Sequence, residues 1–192
     1  GIEKDLNEVY SAGLRAKELV RQILTFARKT EEEMMPIRVD IVIKEVLKFM
    51  RSTIPTTIEI KDNINSKSKV MANATQIHQV IMNLCTNAGH AMNEKGGILQ
   101  VELEDYHLET APKTGFYDAL PGSYIRLKVA DTGKGIPTDI MERIFEPYFT
   151  TKEIGKGTGL GLSMVYAIVK EHRGAINVTS RPGKGSSFKI FL

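Results

Sequence analysis

Four short segments carry residues whose type and spacing fit chemistry on a charged ligand. Asn83 and Asn87 stand four residues apart in a stretch, 73–92, that reads as a helix, so their amides project to the same side, one turn apart. An amide oxygen is a hard neutral donor suited to Mg²⁺, which takes oxygen ligands and usually retains waters and substrate phosphates. Taken alone, the pair also fits a half-exposed helix with polar residues at its boundary. Asp131 opens Asp131-Thr-Gly-Lys-Gly-Ile-Pro137, directly after an alternating strand pattern. Gly133 and Gly135 allow positive φ and close backbone approach to a ligand. A carboxylate there can accept from an exocyclic amino group, which adenine has and guanine lacks at the corresponding position. An ordinary β-turn has the same composition. Gly155-Lys-Gly-Thr-Gly-Leu-Gly161 runs into a helix pattern, where backbone N–H groups favour phosphate. It is not a Walker loop, which needs GxxxxGK[ST], and no apolar strand precedes it as in a dinucleotide fingerprint. Between the two glycine segments, Phe145-Glu-Pro-Tyr-Phe-Thr-Thr-Lys152 has the aromatics, proline and flanking glycines of a hinged cover.

These residues need elements to hold them. Asn73-Ala-Thr-Gln76 fits an amide version of a capping box opening the helix. Ile77, Val80, Ile81, Leu84, Ala88 and Met92 then fall on one apolar arc, with Gln76, Gln79, Asn83, Asn87 and His90 on an adjoining polar stripe. No Asp, Glu, Lys or Arg occurs from Val70 to Asn93, yet the amides are too costly in hydrocarbon for a membrane span.

Upstream, residues 5–33 read as one long helix, with Leu6, Val9, Gly13, Ala16, Val20, Ile23 and Ala27 at alternating three- and four-residue spacing. Such a stripe needs a partner helix, from this chain or another copy. Residues 30–36 look like an exit and linker, because Pro36 disfavours helix at Met35. Asp40 is the expected N-cap of a helix to about Arg51. Strands are expected over 57–64 and 69–72, and at Leu99, Val101 and Leu103 and at Ile125, Leu127 and Val129, which alternate. Residues 109–122 read as a loop, 138–144 as a short helix, 145–158 as a loop, and 160–172 as a helix closed by Gly174. Strands at 175–180 and 186–192 flank Arg-Pro-Gly-Lys-Gly, a hairpin signal.

The 192 residues, 42% hydrophobic and 26% charged, have the composition of a folded globular chain. A net charge of +3 without a basic run argues against a nucleic-acid partner. A single cysteine, Cys85, excludes an internal disulfide framework and fits a reducing, cytoplasmic setting. The N-terminus is charged within three residues, unlike a signal peptide.

In order, the segments are NxxxN on a helix, DxGxG after a strand, FxPxF, then GxGxG before a helix. Together they make residues 36–192 resemble the ATP-binding domain of sensor histidine kinases, in the superfamily that includes gyrase, mismatch-repair and heat-shock chaperone ATPases. The matching residues are Asn83-Leu-Cys-Thr-Asn87-Ala (N box), Asp131-Thr-Gly-Lys-Gly135 (G1 box), Phe145-Glu-Pro-Tyr-Phe149 (F box) and Gly157-Thr-Gly-Leu-Gly161-Leu162 (G2 box). Residues 1–35, with Arg15 to Phe26, resemble the second helix of the family's dimerisation and phosphotransfer hairpin. The resemblance implies an α+β, two-layer sandwich, a mixed sheet covered on one face by helices, preceded by the long N-terminal helix. It implies ATP and Mg²⁺ as cofactors, with Asn87 as metal ligand and Asn83 and His90 near the phosphates. Asp131 would read the adenine amino group. Gly133, Gly135 and Ile136 would line the base, and Phe145 and Phe149 the cover. Gly157, Thr158, Gly159, Leu160, Gly161 and Leu162 would line the phosphates, with Lys152 and Lys156 adding positive charge. The implied partners are a response regulator receiver domain, an upstream sensor, the acceptor-histidine helix of the same protein, and a second copy through residues 5–33. The parent protein is free to be membrane-anchored, with no membrane contact by residues 1–192.

Two departures refine the expectation. The family's phospho-accepting histidine is followed by an acidic residue. Here His78 precedes Gln79, His90 precedes Ala91, His107 precedes Leu108 and His172 precedes Arg173. The acceptor is therefore expected outside residues 1–192. Related ATPases place a glutamate where Asn83 stands, and an amide cannot act as a base. That favours phosphoryl transfer to an imidazole, which already has a free lone pair, over hydrolysis. The competing expectations are a superfamily ATPase without histidine transfer, and a non-catalytic dimerisation module working through residues 5–33.

Overall fold

The computed structural model describes residues 33–109, 119–152 and 157–192. Residues 5–32 of the long helix expected over 5–33, and Gly155 and Lys156, lie outside the described residues. Strand β1 (Met35–Arg38) pairs antiparallel with β3 (Lys69–Ala72). A five-stranded sheet has the order β2-β4-β5-β7-β6, formed by β2 (Ile58–Ile64), β4 (Gly97–Leu108), β5 (Gly122–Asp131), β6 (Ala175–Arg181) and β7 (Gly185–Phe191). β2 and β4 run parallel and the other neighbours antiparallel, so the sheet is mixed as expected. Helices α1 (Val39–Thr53), α2 (Ala74–Ala91) and α3 (Gly161–Glu171) share one core with it.

The alternation in the sequence decides the two faces of the sheet. Leu99, Val101, Leu103, Ile125, Leu127, Val129, Phe188 and Ile190 are all buried in the core shared with the helices. The intervening positions are half-buried and polar. Glu102 lies directly opposite Lys128 and pairs with it at 3.2 Å, and Glu104 lies opposite Arg126 and pairs with it. A one-residue slip would exchange the two sets, so the register is strongly specified.

Four local expectations are corrected. β1 takes in Met35 and Pro36, the last two residues of the segment 30–36 read as a linker, because Ile37 beside them pairs with Val70 and turns its side chain into the core. Asp40 is not the cap of α1. The helix starts at Val39, and the Asp40 carboxylate accepts instead from Arg38 Nε at 2.9 Å and Nη2 at 2.7 Å. Residues 138–144 form one 3₁₀ turn, Thr138–Ile140, followed by further turns bonded i to i+3, because seven residues are too few to sustain an α-helix without a packed face. Arg173, at φ 55°, is the left-handed residue that closes α3, not Gly174. Gly174 is required for a different reason: a Cβ there would lie 2.5 Å from the Phe191 carbonyl oxygen.

One link orients the two helices that matter most. Asn73 caps α2 through Gln76 N–H at 3.0 Å, as the capping pattern predicts. The Gln76 amide does not return to Asn73; its Nε2 donates to Glu171 at 2.9 Å. The Asn73 N–H donates to His172 Nε2 at 3.0 Å, which leaves Nδ1 as the protonated nitrogen, donating to the Ile168 carbonyl at 2.8 Å. The start of α2 is thereby tied to the end of α3. The helices run antiparallel, and the first residue of α3 falls beside the later turns of α2.

Candidate functional site

That antiparallel placement brings Gly161 against the two amides. A Cβ at Gly161 would sit 3.5 Å from Asn83 Oδ1 and 3.7 Å from Asn87 Nδ2. The bare backbone at the head of α3 thus faces both carboxamides across a narrow space, and a helix N-terminus favours an anion. Below, Met164 seals the space: Gln79 Nε2 and Asn83 Nδ2 both reach its Sδ, the latter at 3.9 Å. Leu160 is buried and Leu162 half-buried against the core, so they anchor the glycine segment. Thr158 Oγ1 accepts from Leu160 N–H at 3.3 Å.

Asp131 ends β5 and is 9% exposed. Its carboxylate accepts from Gly133 N–H at 2.8 Å and from the backbone N–H of Ser186. Burial raises its carboxyl above the ordinary range, and the two amides pull partly back. A negative oxygen acceptor is therefore held in a desolvated wall, the placement that makes a hydrogen bond discriminating. The turn that follows lies on the end of α2: Lys134 N–H donates to the Ala91 carbonyl at 3.1 Å, and a Cβ at Gly133 would lie 2.6 Å from that oxygen. Gly135 (φ 70°) approaches the Arg181 carbonyl closely, and Ile136 packs against the core.

The segment between these walls folds over on itself. Phe145 stacks on Tyr166 of α3 with ring centroids 5.3 Å apart, and the Arg143 guanidinium lies 4.5 Å from the Phe149 ring centroid. Tyr148, at φ 66°, is exposed, and Gly159 (φ 67°) backs directly onto it. Gly157 lies against Thr150 and Lys152. Lys152 Nζ donates to His90 Nδ1 at 2.7 Å, closing the cover onto α2. Desolvation and the positive charge of Lys152 hold His90 below the usual imidazole range. Desolvation and the nearby Lys134 likewise lower Lys152. Lys152 and Lys134 thus place positive charge at the rim beside His90, an arrangement that an anionic ligand would relieve.

Comparison with known proteins follows the same geometry. The model of the family described as histidine kinase-, DNA gyrase B- and HSP90-like ATPase matches residues 72–192, which contain every wall of this site. The chain belongs to that ATPase family. Sensor kinase CckA of Brucella abortus is 41% identical over 191 residues, covering 98% of this chain and 20% of the relative. Sensory histidine kinase/phosphatase NtrB of Rhodobacter capsulatus is 34% identical over 179 residues, covering 93% of this chain and 49% of the relative. Among solved structures, full-length ShkA in complex with AMPPNP superposes with a TM-score of 0.67 at 26% identity, covering 91% of this chain and 35% of that one. The catalytic domain of histidine kinase ThkA gives 0.64 at 28% identity, covering 83% and 97%. The chain thus spans between a fifth and a half of the curated relatives named here. The chain carries an ATP-binding domain of the sensor histidine kinase type.

Within this ATPase domain, the structure brings together Asn83, Asn87 and Gly161 on one wall and Asp131, Gly133 and Gly135 on the other. Lys152 and His90 meet at the rim. Phe145 turns inward onto α3, and Phe149 is held from outside by Arg143. Sequence reasoning missed Lys134, whose charge acts on Lys152, and, although it expected the β6–β7 hairpin, it missed that this hairpin packs against the Asp131 turn. Gly183 N–H donates to the Lys134 carbonyl at 2.8 Å, and Gly185 abuts the Asp131 carbonyl. The paired glycines of Arg-Pro-Gly-Lys-Gly were the available signal, read only as a turn.

The rim contact has a direct test. Lys152→Met is expected to raise the His90 pKa toward its ordinary value, and saturating Mg-ADP to raise it in the unsubstituted protein. Both are read from the His90 ring protons in an NMR pH titration. An unchanged titration in both would show that the two groups do not meet in solution.

Proposed function

We propose that this domain binds Mg-ATP between α2 and the cover and transfers the γ-phosphoryl group to a histidine outside residues 1–192, for onward relay to a response regulator receiver domain. The observation that carries the reading is the meeting of Asn83 and Asn87 with the bare backbone of Gly161 at the head of α3. The donor set fits a magnesium–phosphate group: two neutral carboxamides, each with one oxygen to offer a metal, on one side, a helix N-terminus that favours phosphate on the other, and glycine where a side chain would fill the space. Asn87 would hold Mg²⁺, which supplies neutralisation of phosphate charge when bound.

The remaining work falls to the chain's own residues. Asp131 accepts from the adenine amino group and fixes the base. Backbone N–H groups of 157–161, Lys152 and His90 take up charge on the phosphates. The acceptor imidazole attacks the γ-phosphorus with its lone pair, the bond to the β,γ-bridging oxygen breaks, and ADP leaves with that oxygen. No base is required for this attack. Water, in contrast, must lose a proton, and the carboxamide of Asn83 cannot take it. Residues 1–35 would supply one helix of a dimeric phosphotransfer hairpin, and 36–192 the catalytic domain, in a cytoplasmic portion of a longer sensor protein. Among the described residues, no helix is long and apolar enough to cross a membrane.

Calorimetric titration with Mg-ATP and Mg-GTP tests the reading, together with a steady-state phosphate-release assay. ATP is expected to bind more tightly than GTP by about tenfold or more, because guanine presents a carbonyl to the Asp131 carboxylate. Phosphate release is expected to be slow. Equal or absent binding of the two nucleotides would remove the adenine assignment, and rapid phosphate release would favour a water-splitting ATPase instead.

A further inference from the structure

We propose that Ser180 is a positioning residue for adenine selection, acting through Asp131 without touching the nucleotide. The inference rests on the adenine reading above. Ser180 sits near the end of β6, opposite Ser186 of β7 in the hairpin register. Its Oγ lies 2.8 Å from Ile136 N, 2.9 Å from the Gly185 carbonyl oxygen and 3.0 Å from Ser186 Oγ. A serine hydroxyl has one proton and two lone pairs. The Ile136 N–H must donate to Oγ, and the Gly185 carbonyl must accept from it. The contact with Ser186 is then the Ser186 hydroxyl donating to the remaining lone pair. Every hydrogen-bonding capacity of this one side chain is used, and each bond joins a different piece of the Asp131 surroundings.

Ile136 ends the glycine turn that begins at Asp131. Gly185 is the residue packed directly on the Asp131 carbonyl. Ser186 supplies a backbone N–H to the Asp131 carboxylate. Ser180 therefore fixes the hairpin relative to the turn, and that relation sets where the two carboxylate oxygens point. Other contacts between hairpin and turn, such as Gly183 N–H to the Lys134 carbonyl, run backbone to backbone. The β5–β7 ladder, which pairs Ala130 with Ser187, also runs backbone to backbone and holds strand β7 beside Asp131; Ser180 adds the side-chain tie from this hairpin to Ile136 of the turn. Losing the Ser180 hydroxyl leaves the Ile136 N–H and the Gly185 carbonyl without this partner, and the turn and strand are free to shift relative to each other.

The test uses residues 1–192 and measures Kd for Mg-ATP and for Mg-ITP, whose base has a carbonyl in place of the amino group. Ser180→Ala is expected to weaken Mg-ATP binding by about tenfold, the effect of one to two lost hydrogen bonds, and Mg-ITP binding by less than about twofold. The ATP-to-ITP preference falls accordingly. Ser180→Thr, which keeps the hydroxyl on a strand-favouring side chain, is expected to restore both affinity and preference. Equal weakening for both nucleotides would overturn the proposal, since it would mark a residue that merely holds the fold. So would an unchanged preference in Ser180→Ala. If Ser180→Ala does not fold, Ser180→Cys, a weaker acceptor for Ile136 N–H, takes its place with the same outcomes. An unsubstituted protein that binds ATP and ITP equally would instead defeat the adenine assignment itself, and with it this proposal.

Discussion

Asp131→Asn is expected to raise the Kd for Mg-ATP by about two to three orders of magnitude, the scale seen when a buried acceptor is exchanged for a donor opposite a substrate donor. The substituted side chain keeps one oxygen, which can still accept from Gly133 N–H, but turns the other position into an amide NH₂ facing the adenine amino group. Two donors then confront each other at a residue only 9% exposed, where water has little room to mediate between them. The nucleotide-free protein is expected to melt within a few degrees of the unsubstituted one. A contact to the Ser186 backbone weakens, while a charge that burial disfavours is removed. The pH dependence has a definite sign. The carboxyl pKa is raised on folding, so the ionised group costs stability at high pH, and that cost disappears as pH falls through the raised value. The unsubstituted protein therefore gains on the variant toward acid, the reverse of an ion-paired aspartate. Calorimetric binding and melting curves, followed from neutral into acid, measure both effects. Retention of ATP affinity within about threefold would show that Asp131 does not read the base.

The second large effect is structural. Gly185→Ala is expected to destabilise the fold by about 4 kcal/mol, lowering the melting temperature by roughly 10 °C, and to abolish nucleotide binding with it. Gly185 has φ 86°, and a Cβ there would fall 1.8 Å from the Asp131 carbonyl oxygen and 2.7 Å from its carbon. Both atoms belong to backbone at the end of β5, so no side-chain rotation relieves the overlap. Strand β7 must separate from Asp131, the residue proposed to read adenine. Gly183 provides the control. It has a similar left-handed φ of 74°, but nothing lies within 4 Å of the corresponding Cβ. Gly183→Ala is expected to cost only the conformational part, about 1 kcal/mol. Thermal denaturation of the two variants separates close approach from backbone conformation. Similar losses in both would mean that hairpin and strand end do not pack as closely as this.

The contrast between these glycines shows how far local pattern reaches. Alternation at 99–103 and 125–129 was sufficient to assign the buried face of the sheet, because successive side chains of a strand must point to opposite sides. The polar stripe of α2 was legible for the same kind of reason: Asn83 and Asn87 share a face whatever the helix packs on. Asp131 at a strand end, and the glycines after it, were legible because few residue types tolerate such a turn. Other local readings failed where a distant partner intervened. Asn73 capped α2 as expected, but the N–H that a capping box would satisfy from within went to His172, on another helix. Gly174 looked like a helix terminator; Arg173 adopts the left-handed conformation, and Gly174 is small because β7 passes beside it.

By itself, then, the sequence determined the order of the four boxes, the buried face of the sheet strands, and the resemblance to the ATPase family that the comparison bears out. Only the tertiary structure decided that α2 and α3 run antiparallel, so that Gly161 meets the two amides, and that the β6–β7 hairpin grips the Asp131 turn through Ser180 and Gly185. The physical reason is separation along the chain. Side-chain periodicity records what a residue faces within its own helix or strand, whereas a serine or glycine in a hairpin carries no mark of the backbone, some fifty residues away, that folding brings against it.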